Sequence, residues 1–167
     1  RNTQKTFKAT PIPQFIGEVI LVDEIHRTFR SKPYKFLLAS DCLSRYSRLY
    51  PFTGAMNANL FVLLLIRISE DFLFFKKAPS ASLEIRCDHL PAHVKALEDP
   101  RLVDRNISIE FHDPKSGDGK QIPELDGRMA KMSKIIAAYS SQYTDAATLA
   151  WKTAANYNQL RAAEGFT

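Results

Sequence analysis

Phe15-Ile16-Gly17-Glu18-Val19-Ile20-Leu21-Val22-Asp23 and Leu83-Glu84-Ile85-Arg86-Cys87-Asp88 are two strand-length runs, and each ends on an aspartate. The first is apolar almost throughout, as expected of a strand covered on both faces. The second alternates apolar and polar residues, the period-two signature of a strand. Both aspartates follow apolar strand residues, so both are expected where a strand hands over to a loop. In open α/β sheets, sites gather at such strand ends.

The surrounding sequence supplies the rest of a sheet. Ser31-Lys32-Pro33 reads as a turn. Tyr34–Asp41 and Tyr46–Phe52 read as two more strands, spaced closely enough for an antiparallel meander with the first. Thr53 and Asn57 are candidate helix caps, and the run from Asn59 to Phe75 predicts a deeply packed helix. Lys76-Lys77 suits its C-terminal dipole and Pro79 ends it. A short helix is expected between Pro91 and Glu98, and a fifth strand over Asn106–Phe111. Asp113–Lys120 is a loop by composition. Pro123 fits the first turn of a helix running through Met129, Met132, Ile136 and Tyr139. Asp145 caps a last helix, which Gly165 ends. The expected fold is therefore α/β, a mixed sheet with helices on both faces.

Bulk properties bound the function. The chain has 167 residues, the size of one domain. Residues 1–14 are expected to be a polar, basic N-terminal extension and 15–167 the folded domain. The chain opens without Met, as an excised fragment does, and shows no signal peptide. The most apolar stretch, Leu60–Phe75, carries Arg67, Glu70 and Asp71, so no membrane span is expected. Cys42 and Cys87 form no CxxC pair and read as buried free thiols. A net charge of +5 and a pI near 9.3 fit a polyanionic partner without requiring one.

The chemistry rests on carboxylates. Asp23 and Asp88, joined by Glu124 at the start of a helix, would repel one another and need a cation; oxygen ligands of this kind suit Mg²⁺ or Mn²⁺. Two such ions activate an attacking oxygen and stabilise the leaving oxygen of a phosphodiester. Each residue also has an ordinary role: an Asp after a strand commonly serves a turn, and a Glu in a first helical turn answers the dipole.

Taken together, the segments resemble the catalytic core of retroviral and retrotransposon integrases, including degenerate or domesticated members. Phe15–Asp23 looks like the first strand of those cores, ending in the first catalytic Asp. Tyr34–Tyr46, an apolar strand with Asp41 and then Ser44-Arg45-Tyr46, looks like the second-strand signature, whose Asp is not a metal ligand. Leu83–Asp88 is similar to the strand that delivers the second catalytic Asp. The resemblance runs from about Phe15 to Ile136. It implies an RNase H-like fold, a five-stranded mixed sheet with its first three strands antiparallel. It also implies Mg²⁺ or Mn²⁺ on two Asp and a Glu, DNA 3′-end processing and strand transfer, dimerisation and a nuclear location.

Two readings of the third ligand stay open. The spacing of 35 residues between Asp88 and Glu124, familiar from retroviral integrases, favours Glu124. Matching Asp126-Gly127 to the family's Asn-Gly instead places Ala130 on the catalytic Glu, and alanine binds no cation. Gly127 then reads as a tight turn that delays the helix start. Glu110, Asp118 and Asp126 rank behind as substitutes. After Asp88, His89-Leu90-Pro91 makes a stiffer exit than the family's flexible pair, and His89 reads as solvent-facing or capping. Arg27, Arg30 and Lys32 are expected in a loop after the first strand. Lys115, Lys120, Arg128, Lys131 and Lys134 resemble a phosphate-binding face for sequence-nonspecific DNA contacts. Three roles compete: a metal-dependent DNA-joining enzyme, a catalytically inactive integrase-derived domain that binds nucleic acid or a protein, and a structural spacer.

Overall fold

The computed structural model describes residues 13–73, 82–111 and 123–166, with the side chains of Pro123 and Glu124 outside that description. The expected loop 113–120, Lys115, Lys120 and Lys76-Lys77 all lie outside the described residues, as does nearly all of the extension. Ten elements follow in chain order. They are β1 (Val19–Phe29), β2 (Lys32–Asp41), β3 (Ser47–Pro51), α1 (Ala58–Asp71), β4 (Leu83–Cys87), α2 (Pro91–Ala96), α3 (Pro100–Val103), β5 (Ile107–Phe111), α4 (Pro123–Tyr139) and α5 (Ala146–Ala163).

The strands form one sheet in the order β3-β2-β1-β4-β5. β1 pairs antiparallel with β2, and β2 antiparallel with β3. β4 lies parallel to β1, and β5 parallel to β4. Strand alternation sends Ile20, Val22, Leu37, Ala39, Ile85 and Cys87 to one face, where α1 covers them with Phe61, Val62, Leu65 and Ile68. Val19, Leu21, Ile25, Phe36 and Leu38 point to the other, against Leu125, Met129, Met132 and Ile136 of α4 and Leu149 and Tyr157 of α5. Helices on both faces explain why β1 and β2 read as near-continuous apolar runs.

The helix ends follow their caps. Asn57 Oδ1 accepts from the Leu60 amide at 2.9 Å, and Asp145 Oδ2 from the Thr148 amide at 2.9 Å. Gly165 closes α5 at φ 94°, a conformation costly for any side chain. α3 is an element the sequence reading lacks: Asp99 caps it, and Pro100 opens it.

Two expectations change. β1 does not stop at Asp23 but runs on to Phe29, because Asp23–Phe29 pairs with Lys32–Leu38 as a long hairpin beyond the end of β4. Arg27 and Lys32 therefore lie on strands, and Arg30 with Ser31 forms the two-residue turn, at φ 51° and 64°. Gly127 is no tight turn. α4 begins at Pro123 and Gly127 lies inside it, with open space where a Cβ would stand.

Candidate metal and catalytic site

β1 and β4 pair Val19 with Glu84 and Leu21 with Arg86, so two more residues in the same register bring Asp23 opposite Asp88. Both belong to the sheet face that α4 covers, since Leu21 and Ile25 on β1 point there while Cys87 points the other way. β1 continues past this level and β4 does not. The pair thus sits at the notch where the parallel neighbour ends, although Asp23 itself lies mid-strand.

Electrostatics set Asp23 apart. Its carboxyl is pushed up to about 7, first by burial and then by the negative charge of Asp88; Glu24 and Asp126 add to the push. A single hydrogen bond, donated by the Glu24 amide to Oδ1 at 2.7 Å, works against it.

From α4, the charge of Asp126 acts on Asp23, after those of Asp88 and Glu24, and Asp126 stands in the helix's first turn with an exposed side chain. Leu125, Met129, Met132 and Ile136 define the buried stripe of the helix. The side chain of Glu124 lies outside the described residues. Arg128 and Lys131 lie on the flank toward β2 and α5: Arg128 bonds the end of β2, and Lys131 reaches Glu164 beyond α5. Ala130 shares the flank of Asp126, one turn further from the helix start, and is exposed.

Asp23 and Asp88 offer carboxylate oxygens, the chemistry of a hard divalent cation. Among the described residues no group of three His, Cys, Asp or Glu stands close enough to hold an ion as the side chains lie.

The basic residues divide sharply. Arg128 does not present its charge to solvent: it is 5% exposed, and Nη1 donates to Ser40 Oγ at 2.8 Å and the Asp41 carbonyl at 2.9 Å, Nη2 to the Cys42 carbonyl at 3.1 Å. It pins α4 to the end of β2, so its place in a phosphate-binding face is withdrawn. A period-three run of cations on a helix cannot keep one face, since three residues advance about 300° rather than a full turn. Lys131 is half-exposed and paired with Glu164 at 2.8 Å, and Lys134 is exposed.

Asp41 is held by the backbone around it. It is fully buried and accepts from the amides of Gly17 at 2.7 Å, Leu43 at 3.2 Å and Ser44 at 2.7 Å. His89 stands edge-on to Phe111, with ring centroids 4.8 Å apart. A groove of about 440 Å³ at the sheet edge, between α1, β3 and α5, includes Tyr50, Arg67 and Trp151 in its lining but neither Asp23 nor Asp88.

No family model and no curated protein matches the sequence. Solved structures do match the fold. A chain of the simian T-cell lymphotropic virus intasome, solved with the PP2A regulatory subunit B56 gamma, superposes with a TM-score of 0.67 at 13% identity, over 92% of this chain and 53% of that one. This chain thus spans about half the length of that one. The HTLV-2 integrase catalytic core domain in complex with magnesium, in its trimeric form, gives a TM-score of 0.61 at 13% identity, over 84% of both chains. The catalytic core domain of BIV integrase gives 0.61 at 9% identity, over 83% of this chain and 81% of that one. Sheet order and helix layers define a mixed five-stranded α/β domain. More particularly, the chain has the fold of retroviral integrase catalytic cores.

Proposed function

We propose that this chain is an integrase-like core that binds DNA and carries out divalent-metal-dependent phosphoryl transfer, with Asp23, Asp88 and Asp126 holding Mg²⁺ or Mn²⁺. The observation that carries the reading is the in-register Asp23–Asp88 pair, with Asp23 pushed up to about 7 by burial and by the charge beside it. Two half-buried like charges side by side cost stability, and a divalent ion is an answer their oxygen chemistry fits. The charge of Asp126 on Asp23 favours it as third ligand, and Glu124, which the 35-residue spacing from Asp88 supports, is the alternative. The ion would supply charge neutralisation and activation of an attacking oxygen at phosphorus. The chain's own residues supply the desolvated pocket and fix the geometry.

DNA enters this reading through the exposed Lys134, the Lys131 beside it, the predicted contacts Lys115 and Lys120, and the basic β1–β2 hairpin. Phosphate contacts of this kind give salt-dependent, sequence-nonspecific affinity. The dimeric and trimeric forms of the HTLV-2 core and the protein-bound intasome are consistent with a homo-oligomer or a protein partner for this chain.

The test is Mn²⁺-dependent joining of a fluorescent DNA 3′ end to a duplex, by wild type and by Asp23→Asn. Product from wild type alone is the expected result. Saturable Mn²⁺ binding and DNA binding without product would favour the inactive, integrase-derived domain.

A further inference from the structure

We propose that Arg27 and Arg30 on the β1–β2 hairpin form a clamp for the DNA backbone, resting on the DNA-binding reading above. Between Ile25 and Asp41 every residue of fixed charge is basic: Arg27, Arg30, Lys32 and Lys35. The two lysines are committed to the protein itself. Lys32 Nζ donates to the Thr144 carbonyl at 2.8 Å and lies over the Tyr34 ring, and Lys35 Nζ donates to the Gly54 carbonyl at 2.8 Å. They brace the ribbon from its two faces, Lys32 toward the start of α5 and Lys35 toward the start of α1. The two arginines are not used in this way. Arg27 Nη1 reaches no further than the neighbouring His26 carbonyl, at 2.7 Å, and Arg30 is exposed at the tip. Among the described residues no carboxylate pairs with either guanidinium.

The tip carries a strain that folding does not explain. Arg30 and Ser31 hold left-handed φ of 51° and 64°, in a turn that Asn-Gly adopts at least cost. Guarding an exposed strand edge is no account of this choice, since charges do that along the strand and Arg30 stands past its end. A strained residue kept in a rigid, projecting turn points to a use for its side chain. The guanidinium suits a phosphate, which it meets with paired N–H donors. Register sets the reach of the clamp. Asp23, Ile25 and Arg27 alternate onto one face of β1, so Arg27 stands about 13 Å from the level of Asp23 at the rise of an extended strand. Phosphates recur about every 3.4 Å along each strand of a duplex. A duplex laid along β1 with one phosphate at Asp23 therefore brings another to Arg27 about four base pairs on, with Arg30 beyond it.

The test uses the whole chain and a fluorescein-labelled DNA duplex in EDTA, so that metal plays no part. Anisotropy is read across a salt series, with the thermal midpoint measured beside it. Ser31→Gly eases the turn and keeps the arginine. Arg30→Asn combined with Ser31→Gly installs the unstrained turn and removes it. The double variant should raise the midpoint by about 2 to 4 °C. It should also lower the slope of log affinity against log salt by about 1, as should Arg27→Gln, while Ser31→Gly and Arg27→Lys keep the wild-type slope. A wild-type slope in either the double variant or Arg27→Gln overturns the clamp and leaves the Lys134 face standing. A slope lost equally in Ser31→Gly and the double variant assigns the effect to the shape of the turn and also overturns it. A wild type that binds no DNA overturns the DNA-binding reading itself, and the clamp with it.

Discussion

Asp41 and Asp23 stand on adjacent strands of one sheet and have opposite surroundings. Asp41 is fully buried, yet three amides from Gly17, Leu43 and Ser44 converge on its two oxygens. Asp23 is less buried, has one amide donor, and faces the charges of Asp88, Glu24 and Asp126. The first carboxylate is satisfied by the chain that surrounds it. The second has one amide donor among the described residues, set against the charges of three acids. A buried acid ringed by donors holds a fold together, while one ringed by acids weakens the fold and awaits a cation.

The largest expected effect is on the satisfied member. Asp41→Ala strands three amide donors in the interior and should cost on the order of 5 kcal/mol, read as a lowered urea midpoint. A loss under about 1 kcal/mol would erase the contrast.

Asp23→Asn should act in the opposite direction. In the fold this carboxyl titrates near 7, against an ordinary value of 3.8, so the folded state prefers it protonated. Its ionisation therefore weakens the fold increasingly as pH rises from about 4 to about 7, by up to roughly 4 kcal/mol above that window. The variant should gain most of that amount at pH 8 and almost nothing at pH 4, by urea unfolding at both. A gain that is the same at both pH values would deny the charge as its cause.

Arg128→Met sharpens the comparison from the side of the cations. It leaves the Asp41 and Cys42 carbonyls without their guanidinium and should cost about 2 kcal/mol. Lys134→Ala should leave stability within about 0.5 kcal/mol and lower the slope of log DNA affinity against log salt by about 1. An unchanged slope would remove Lys134 from the DNA face.

The sheet was readable in the sequence because burial on two faces forces apolar runs and alternation, which Val19–Val22 and Leu83–Cys87 display. So were the caps Asn57 and Asp145, since a cap needs a particular side chain at one position. The far half of β1 was not. Past Ile25 the strand carries His26-Arg27-Thr28, exposed in a hairpin that runs beyond the end of β4, so hydropathy ended the strand at Asp23. The pair Asp23 and Asp88 followed from strand order, whereas the third acid depended on rotation about a helix. Loop spacing pointed to Glu124 and a short motif to Ala130. The apolar positions Leu125, Met129, Met132 and Ile136 already held the phase of the helix, which puts 126 and 130 on one flank of the buried stripe. The same stripe placed Arg128 at its margin, where a long side chain reaches back into the interior.

The central claim is that Asp126 completes a cation site with Asp23 and Asp88. Its most direct test is Mn²⁺ titration of the protein with carboxyl carbons observed by NMR, in wild type, Asp126→Asn and Glu124→Gln. The account predicts saturable broadening at Asp23, Asp88 and Asp126, retained in Glu124→Gln and weakened at least tenfold in apparent affinity in Asp126→Asn, on the scale of losing one charged ligand. Broadening that survives in Asp126→Asn and disappears in Glu124→Gln would contradict it.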